Sequence, residues 1–238
     1  MKLGFALCAA LLVSGCATYR GVSYPSTDYT TKFRLGDVNI RSLLSKPRGT
    51  GPYPAVVLLH GCAGPSPDRD AYWADDLTSW GYVTIRPDSL TSRGIPNACE
   101  GGPYTVSPKM RVQDAYDALE YLSSLPFVDI DRVAVMGWSH GGETILATMG
   151  TWALRDQTRR FKAAIAFYPD CDVRASGAEF YAPILILAGS ESDWTPRCEW
   201  MVKHRTSIDV PLHIVVYQGA YLGFDLRRPP SVYLGHQL

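Results

Sequence analysis

The chain has 238 residues, 46% hydrophobic and 19% charged, with 23 basic side chains balancing 23 acidic ones. That is the composition of an ordinary globular protein with one sizeable core. The cancelled charge argues against nucleic-acid binding and suits a small neutral ligand better. No repeat, low-complexity tract or long charge block is visible.

The first twenty residues, MKLGFALCAALLVSGCATYR, place one lysine before a short apolar run and then small residues, the pattern of a secretory signal. Residues 1–15 are therefore expected to be removed. The junction Val13-Ser14-Gly15-Cys16 resembles the lipobox of bacterial lipoproteins, which implies cleavage before Cys16 and a lipid on that cysteine. Ala17, which is not an aspartate, implies sorting to the outer membrane, with the protein facing the periplasm. The alternative is an uncut anchoring helix, for which the apolar run is short. Residues 16–30, polar, small and aromatic without period, read as a tether, and 31–238 as one domain.

With Cys8 removed and Cys16 lipidated, Cys62, Cys99, Cys171 and Cys198 remain in an oxidising compartment. Four cysteines suggest two disulfides, and three pairings are open. The sequence-local choice joins Cys62 to Cys99 and Cys171 to Cys198; buried free thiols are the alternative.

Apolar, β-branched runs alternate with amphipathic segments in the remaining chain. Strands are predicted over 53–61 and 82–88, bracketing a helix that carries Tyr72, Trp73, Leu77 and Trp80 at helical spacing. Ser107 as N-cap and Pro108 in the first turn predict a helix bearing Val112, Ala115, Tyr116, Leu119 and Leu122. A strand over 132–138, a helix from Gly141, strands over 161–169 and 182–190, a helix from Pro196 to Ser207 and a strand over 212–219 complete the order. Continuous apolar strands separated by helices predict an α/β fold, a mostly parallel sheet covered on both faces. The 3.6-residue period of the intervening segments argues against an all-β protein.

In VMGWSHGG a β-rich strand runs into a serine between glycines and then into a helix-forming segment. This G-x-S-x-G context suits a nucleophile: the glycines permit a tight turn that lifts Ser139 Oγ into a cleft beside a helix N-terminus. A simple helix-capping serine is the alternative. Upstream, LLHGCAG ends an earlier strand with small residues that let the backbone approach a substrate carbonyl. The N–H groups of Cys62 and His140 would then be the oxyanion donors. No C-x-x-C pair, H-E-x-x-H motif or acidic cluster with ligand spacing is present, so neither a metal nor a cofactor is expected.

These blocks, together with GPYPAVVLLHGCAG, IRPDSLTSRGIPNAC, RVQDAYDALEYL, AGSESDWTP and VYQGAYLGFD, resemble the dienelactone hydrolase family of α/β-hydrolases, specifically its exported, serine-bearing members. The likeness runs from about Gly51 to Asp225. It implies an α/β-hydrolase fold and hydrolysis of a small-molecule carboxylic ester or lactone. It matches Ser139 to the nucleophile, Cys62 and His140 to the oxyanion positions and Asp193 to the acid, with Glu191 as fallback. It also supports the two sequence-local disulfides.

The chain departs from the family at the base. Where a GAYHGFD-like stretch carries a histidine, this sequence has Leu222, which cannot accept a proton. His60 and His140 read as local turn and helix-start residues, His204 as surface and His213 as far-side strand. His236 is the one candidate in a flexible downstream segment. Arg93 or Tyr104 is a candidate to meet a substrate carboxylate, while Asp88 and the Arg227-Arg228 run read as loop and surface features. The chain is also read as stopping before the terminal helix such hydrolases usually add. The expected activity is thus a serine-dependent ester hydrolase, impaired by Leu222, with a non-catalytic ligand-binding lipoprotein as the other reading and a structural envelope protein as a third.

Overall fold

A computed structural model describes residues 18–26, 38–100, 106–155, 157–171, 179–205, 209–227, 232–233 and 236–237. Cys16, the signal and Tyr104 lie outside the described residues. The strands are β1 Thr18–Ser26, β2 Val38–Lys46, β3 Tyr53–Leu59, β4 Val83–Asp88, β5 Val128–Trp138, β6 Ala164–Phe167, β7 Ile184–Gly189 and β8 Leu212–Tyr217. They form one sheet in the order β1-β2-β4-β3-β5-β6-β7-β8. β1 with β2 and β2 with β4 run antiparallel, and every pair from β4 through β3 and β5 to β8 is parallel. The helices are α1 Tyr72–Ser79, α2 Pro108–Ser123, α3 His140–Thr148 and α4 Thr195–Lys203. A short hairpin, β9 Val232–Tyr233 with β10 His236–Gln237, is the last described feature.

β3, β6 and β7 in the middle of the sheet are apolar throughout because both faces are covered. Ala55, Val57 and Leu59 point into the layer shared with Val112, Leu119, Ile145 and Met201 of the helices. Their neighbours Val56 and Leu58 point the other way, onto Ala74 and Leu77 of α1 with Trp138 and Phe167. A strand buried on both faces reads as a continuous hydrophobic run, as these do. At α2, Ser107 Oγ accepts the Met110 N–H at 3.3 Å and Pro108 occupies the first turn, as its N-terminal sequence predicts.

Two differences from the sequence reading concern the antiparallel end of the sheet. The segment read as a tether contains β1, so Thr18–Ser26 belongs to the sheet and the folded unit starts before residue 31. β2 shows no apolar alternation because two of its buried positions, Ser42 and Ser45, are serines lying beside Ile40 and Leu44.

Both sequence-local disulfides are present, Cys62–Cys99 and Cys171–Cys198, closing loops with sequence separations of 37 and 27 residues. On the chain-entropy model each contributes about 3–4 kcal/mol by constraining the unfolded chain. Thermal melts with and without reductant are expected to show a drop in Tm on reduction, smaller in a Cys171→Ser/Cys198→Ser variant that retains only the first bridge. An unchanged Tm on full reduction would contradict this.

Candidate functional site

β5 ends at Trp138 and α3 begins at His140, so Ser139 makes the whole turn between them. Its backbone sits at φ 50°, ψ −119°, one of two non-glycine residues with positive φ among those described. Such a conformation costs of order 1–3 kcal/mol and persists only where its surroundings enforce it. Here the Ser139 N–H donates to Phe167 O at 2.9 Å, and Ser139 O accepts the Glu143 N–H at 2.9 Å. The flanking glycines are required by close approach. A Cβ on Gly137 would lie 2.6 Å from Gly141 O, and one on Gly141 would collide with Leu59 O. The serine turn is therefore packed directly against the end of β3.

Ser139 opens onto a cavity of about 640 Å³ whose lining includes Cys62, Arg69, His140, Glu143, Tyr168, Trp194 and Leu222. The loop after β3 forms one wall. Cys62 is fixed there by its disulfide and by the Ala98 N–H, which donates to Cys62 O at 2.8 Å. The Cys62 N–H has no hydrogen-bond partner among the described residues. His140 is the first residue of α3, where helical N–H groups have no intrahelical acceptor. The two N–H groups expected as oxyanion donors thus belong to cavity-lining residues on either side of Ser139.

The histidines beside the site are committed to other bonds. His60 Nδ1–H donates to Gly61 O at 2.7 Å, and its Nε2 accepts the Ser89 N–H at 3.1 Å. Burial, reinforced by Arg111, holds its pKa well below the ordinary imidazole value. His140 Nδ1 accepts from Arg111 Nη1 at 2.8 Å. Burial first and the Arg111 charge second push the His140 pKa down to about 3. Both rings are neutral at physiological pH. His204 is exposed and stacks on Trp200, and His213 is exposed on edge strand β8. His236 lies in β10 opposite Tyr233.

Leu222 lines the cavity at the position where the resemblance calls for a histidine. Its loop is firmly held. Gly219 N–H donates to Ser190 Oγ at 2.8 Å, and Glu191 N–H donates to Ala220 O at 3.0 Å. A Cβ on Gly189 would collide with Ala220 O, so the loop lies directly on the end of β7. Three residues beyond Leu222, the Asp225 carboxylate accepts Trp73 Nε1–H at 2.8 Å, Trp138 Nε1–H at 2.7 Å and Tyr168 O–H at 2.6 Å. This half-buried anchor was not singled out in the sequence; its signal was the aspartate of GFD facing tryptophans remote in the chain.

Asp193 is exposed in the turn between β7 and α4, and its neighbour Trp194 is the residue that reaches the cavity. Glu191 is exposed and accepts from Ser190 Oγ at 2.8 Å. Arg93, expected as a possible carboxylate anchor, points elsewhere. Its guanidinium forms a bidentate pair with Asp114 at 2.8 and 2.7 Å, and both side chains are almost wholly buried. The cation in the cavity is Arg69, which pairs with buried Asp70 at 3.1 Å and lies over the Trp138 ring. Asp88 is a turn residue, its carboxylate accepting the N–H groups of Leu90 and Thr91.

A parallel sheet with helices on both faces, and a strained serine at a strand-to-helix turn under a cavity, define an α/β-hydrolase fold. The esterase of the archaeon Pyrobaculum calidifontis superposes with a TM-score of 0.66 at 19% identity, over 87% of this chain and 78% of that one. The model of the Dienelactone hydrolase family matches residues 40–235, and the chain belongs to that family. "Probable 2-oxo-3-(5-oxofuran-2-ylidene)propanoate lactonase" of Bradyrhizobium sp. is 26% identical over 214 residues, 78% of this chain and 81% of that protein. Dipeptidyl peptidase 8 of Mus musculus is 31% identical over 158 residues, but the match spans only 16% of that longer protein.

Proposed function

We propose that the chain hydrolyses a carboxylic ester or lactone through an acyl-Ser139 intermediate. The observation that carries this reading is the strained Ser139 backbone at the β5–α3 turn, opening onto the cavity between Cys62 and His140. Ser139 Oγ attacks the carbonyl carbon and, with Leu222 in place of an imidazole, its proton passes to solvent water, which makes this step slow. The carbonyl oxygen becomes an anion held by the N–H groups of Cys62 and His140, and the alkoxide departs with a proton. Water then releases the acid and restores Ser139. Asp193 takes the place of the orienting acid at the end of β7, but Leu222 gives it no imidazole to orient. The chain as it stands is therefore a slow hydrolase. A fluorophosphonate is expected to add its mass to Ser139 slowly, and the adduct to disappear in Ser139→Ala; an adduct elsewhere, or none, would count against the nucleophile.

One observation favours a second reading, a ligand-binding protein without turnover. Both ring nitrogens of His60 are bonded, His140 Nδ1 is taken by Arg111, both rings are neutral, and His204 and His213 are exposed away from the cavity lining. A folded chain that is inert to the fluorophosphonate yet binds ester analogues would support it.

The same proposal places the chain in the bacterial envelope, cut before Cys16, lipidated there and facing the periplasm from the outer membrane. Two disulfides support an oxidising compartment. Intact-mass analysis of the protein from bacterial membranes is expected to give a mature N-terminus at an acylated Cys16. A mature protein that begins elsewhere, or carries no lipid, would refute the anchor.

A further inference from the structure

Three charged side chains line the cavity: Asp68, Arg69 and Glu143. Arg69 is already balanced, by Asp70 at 3.1 Å and by the Asp225 carboxylate nearby. Asp68 is exposed. Glu143 differs from both. It stands on α3 one turn beyond Ser139 and is half-buried, with the segment at Asp170 beside it. No salt-bridge partner lies within reach of its carboxylate among the described residues. A carboxylate partly withdrawn from water gains from a counter-charge, and the cavity that Glu143 lines is where a ligand can supply one. Tyr168 and Trp194 line the same cavity, and aromatic ring faces attract cations.

We propose that the cavity is a binding site for a protonated amine or quaternary ammonium group, with Glu143 as counter-ion and Tyr168 and Trp194 as aromatic walls. This deepens the ester-hydrolase reading and rests on it only for the chemistry at Ser139: the preferred ester or lactone carries a cationic group. Glu143 is a specificity-determining residue that pairs with that group.

The pH dependence follows from the groups facing Glu143. Burial raises its pKa to about 7, and Asp170, from the segment after β6, adds to the rise. Arg111 of α2 and the backbone bond to Asp170 oppose it. The Asp170 carboxylate is itself bound by Arg197 of α4 at 2.9 Å. Glu143 is therefore neutral below about pH 7 and ionised above it, while an alkylammonium stays protonated throughout. Cation affinity rises as pH rises through this window.

The test is direct binding by isothermal titration or ligand-observed NMR, using the full chain with benzylammonium, benzyl alcohol and benzoate. Benzylammonium is expected to bind about 10-fold tighter than benzyl alcohol above pH 7, of the order a charge-assisted hydrogen bond supplies. Benzoate should bind weakest. Glu143→Gln should bring the amine and the alcohol to within about twofold, and Glu143→Asp, which keeps the charge, should retain part of the preference. Equal binding of amine and alcohol to the unaltered chain, or a preference that survives Glu143→Gln, would overturn the site. The two readings fail separately. An ammonium preference with no ester turnover in a Leu222→His variant leaves this site standing and sinks the hydrolase; turnover without that preference does the reverse.

Discussion

Leu222→His is expected to raise turnover of a short-chain aryl ester by about 10²–10⁴-fold, the contribution a positioned general base makes. The prediction is large because position 222 lines the same cavity as Ser139 and its loop is held in place. The loop that carries Leu222 is tied to the end of β7 by Gly219 and Ala220, and to α1, the end of β5 and the residue after β6 by the three hydrogen bonds of Asp225. Side chain 222 already lines the cavity that Ser139 opens onto, and Asp193 stands in the turn after β7. On the proposed mechanism an imidazole at that position is the missing base for Ser139. The measurement is kcat/KM for the unaltered chain, Leu222→His and Leu222→His/Ser139→Ala. The gain must vanish in the double variant. If the unaltered chain already matches Leu222→His, Leu222 is no lesion and another histidine, His236 first, is the base.

What could be read from the sequence divides along a physical line. The parallel strands and their helices were legible because burial on both faces leaves uninterrupted runs such as YPAVVLL, and a helix start such as Ser107-Pro108 has a local chemical signature. The serine turn was legible for the same reason, since Gly137 and Gly141 are required by contacts that only glycine permits. β1 and β2 were not. Their pairing is antiparallel at the sheet's end, and β2 buries Ser42 and Ser45 where a periodic reading looks for apolar side chains. Side-chain partnership was least legible. Nothing local in TSRG tells whether Arg93 meets a ligand or Asp114, 21 residues away, and the Glu143 environment depends on Asp170 and Arg111 from two other segments. Sequence pattern reports local conformation and burial; charge pairing across the fold is set by packing.

The second large effect concerns that same arginine. Asp114→Ala is expected to destabilise the domain by about 3–5 kcal/mol, the range found when one partner of a buried ion pair is removed. The guanidinium of Arg93 would keep its charge, its Ser89 O contact at 2.8 Å and its burial, but lose two short bonds to the carboxylate. A loss of that size is a large share of the 5–15 kcal/mol typical of a domain. It would also reach the cavity, because Ser89 donates its N–H to His60, the residue two before Cys62. Urea unfolding of Asp114→Ala should give a lower midpoint at unchanged slope. Arg93→Met/Asp114→Leu should recover part of the loss, since it removes the unpaired Arg93 charge, while buried Arg111, which also faces Asp114, still loses a counter-charge. A double variant no more stable than Asp114→Ala would mean that the two side chains are held by packing shape, and that the charge pair contributes little.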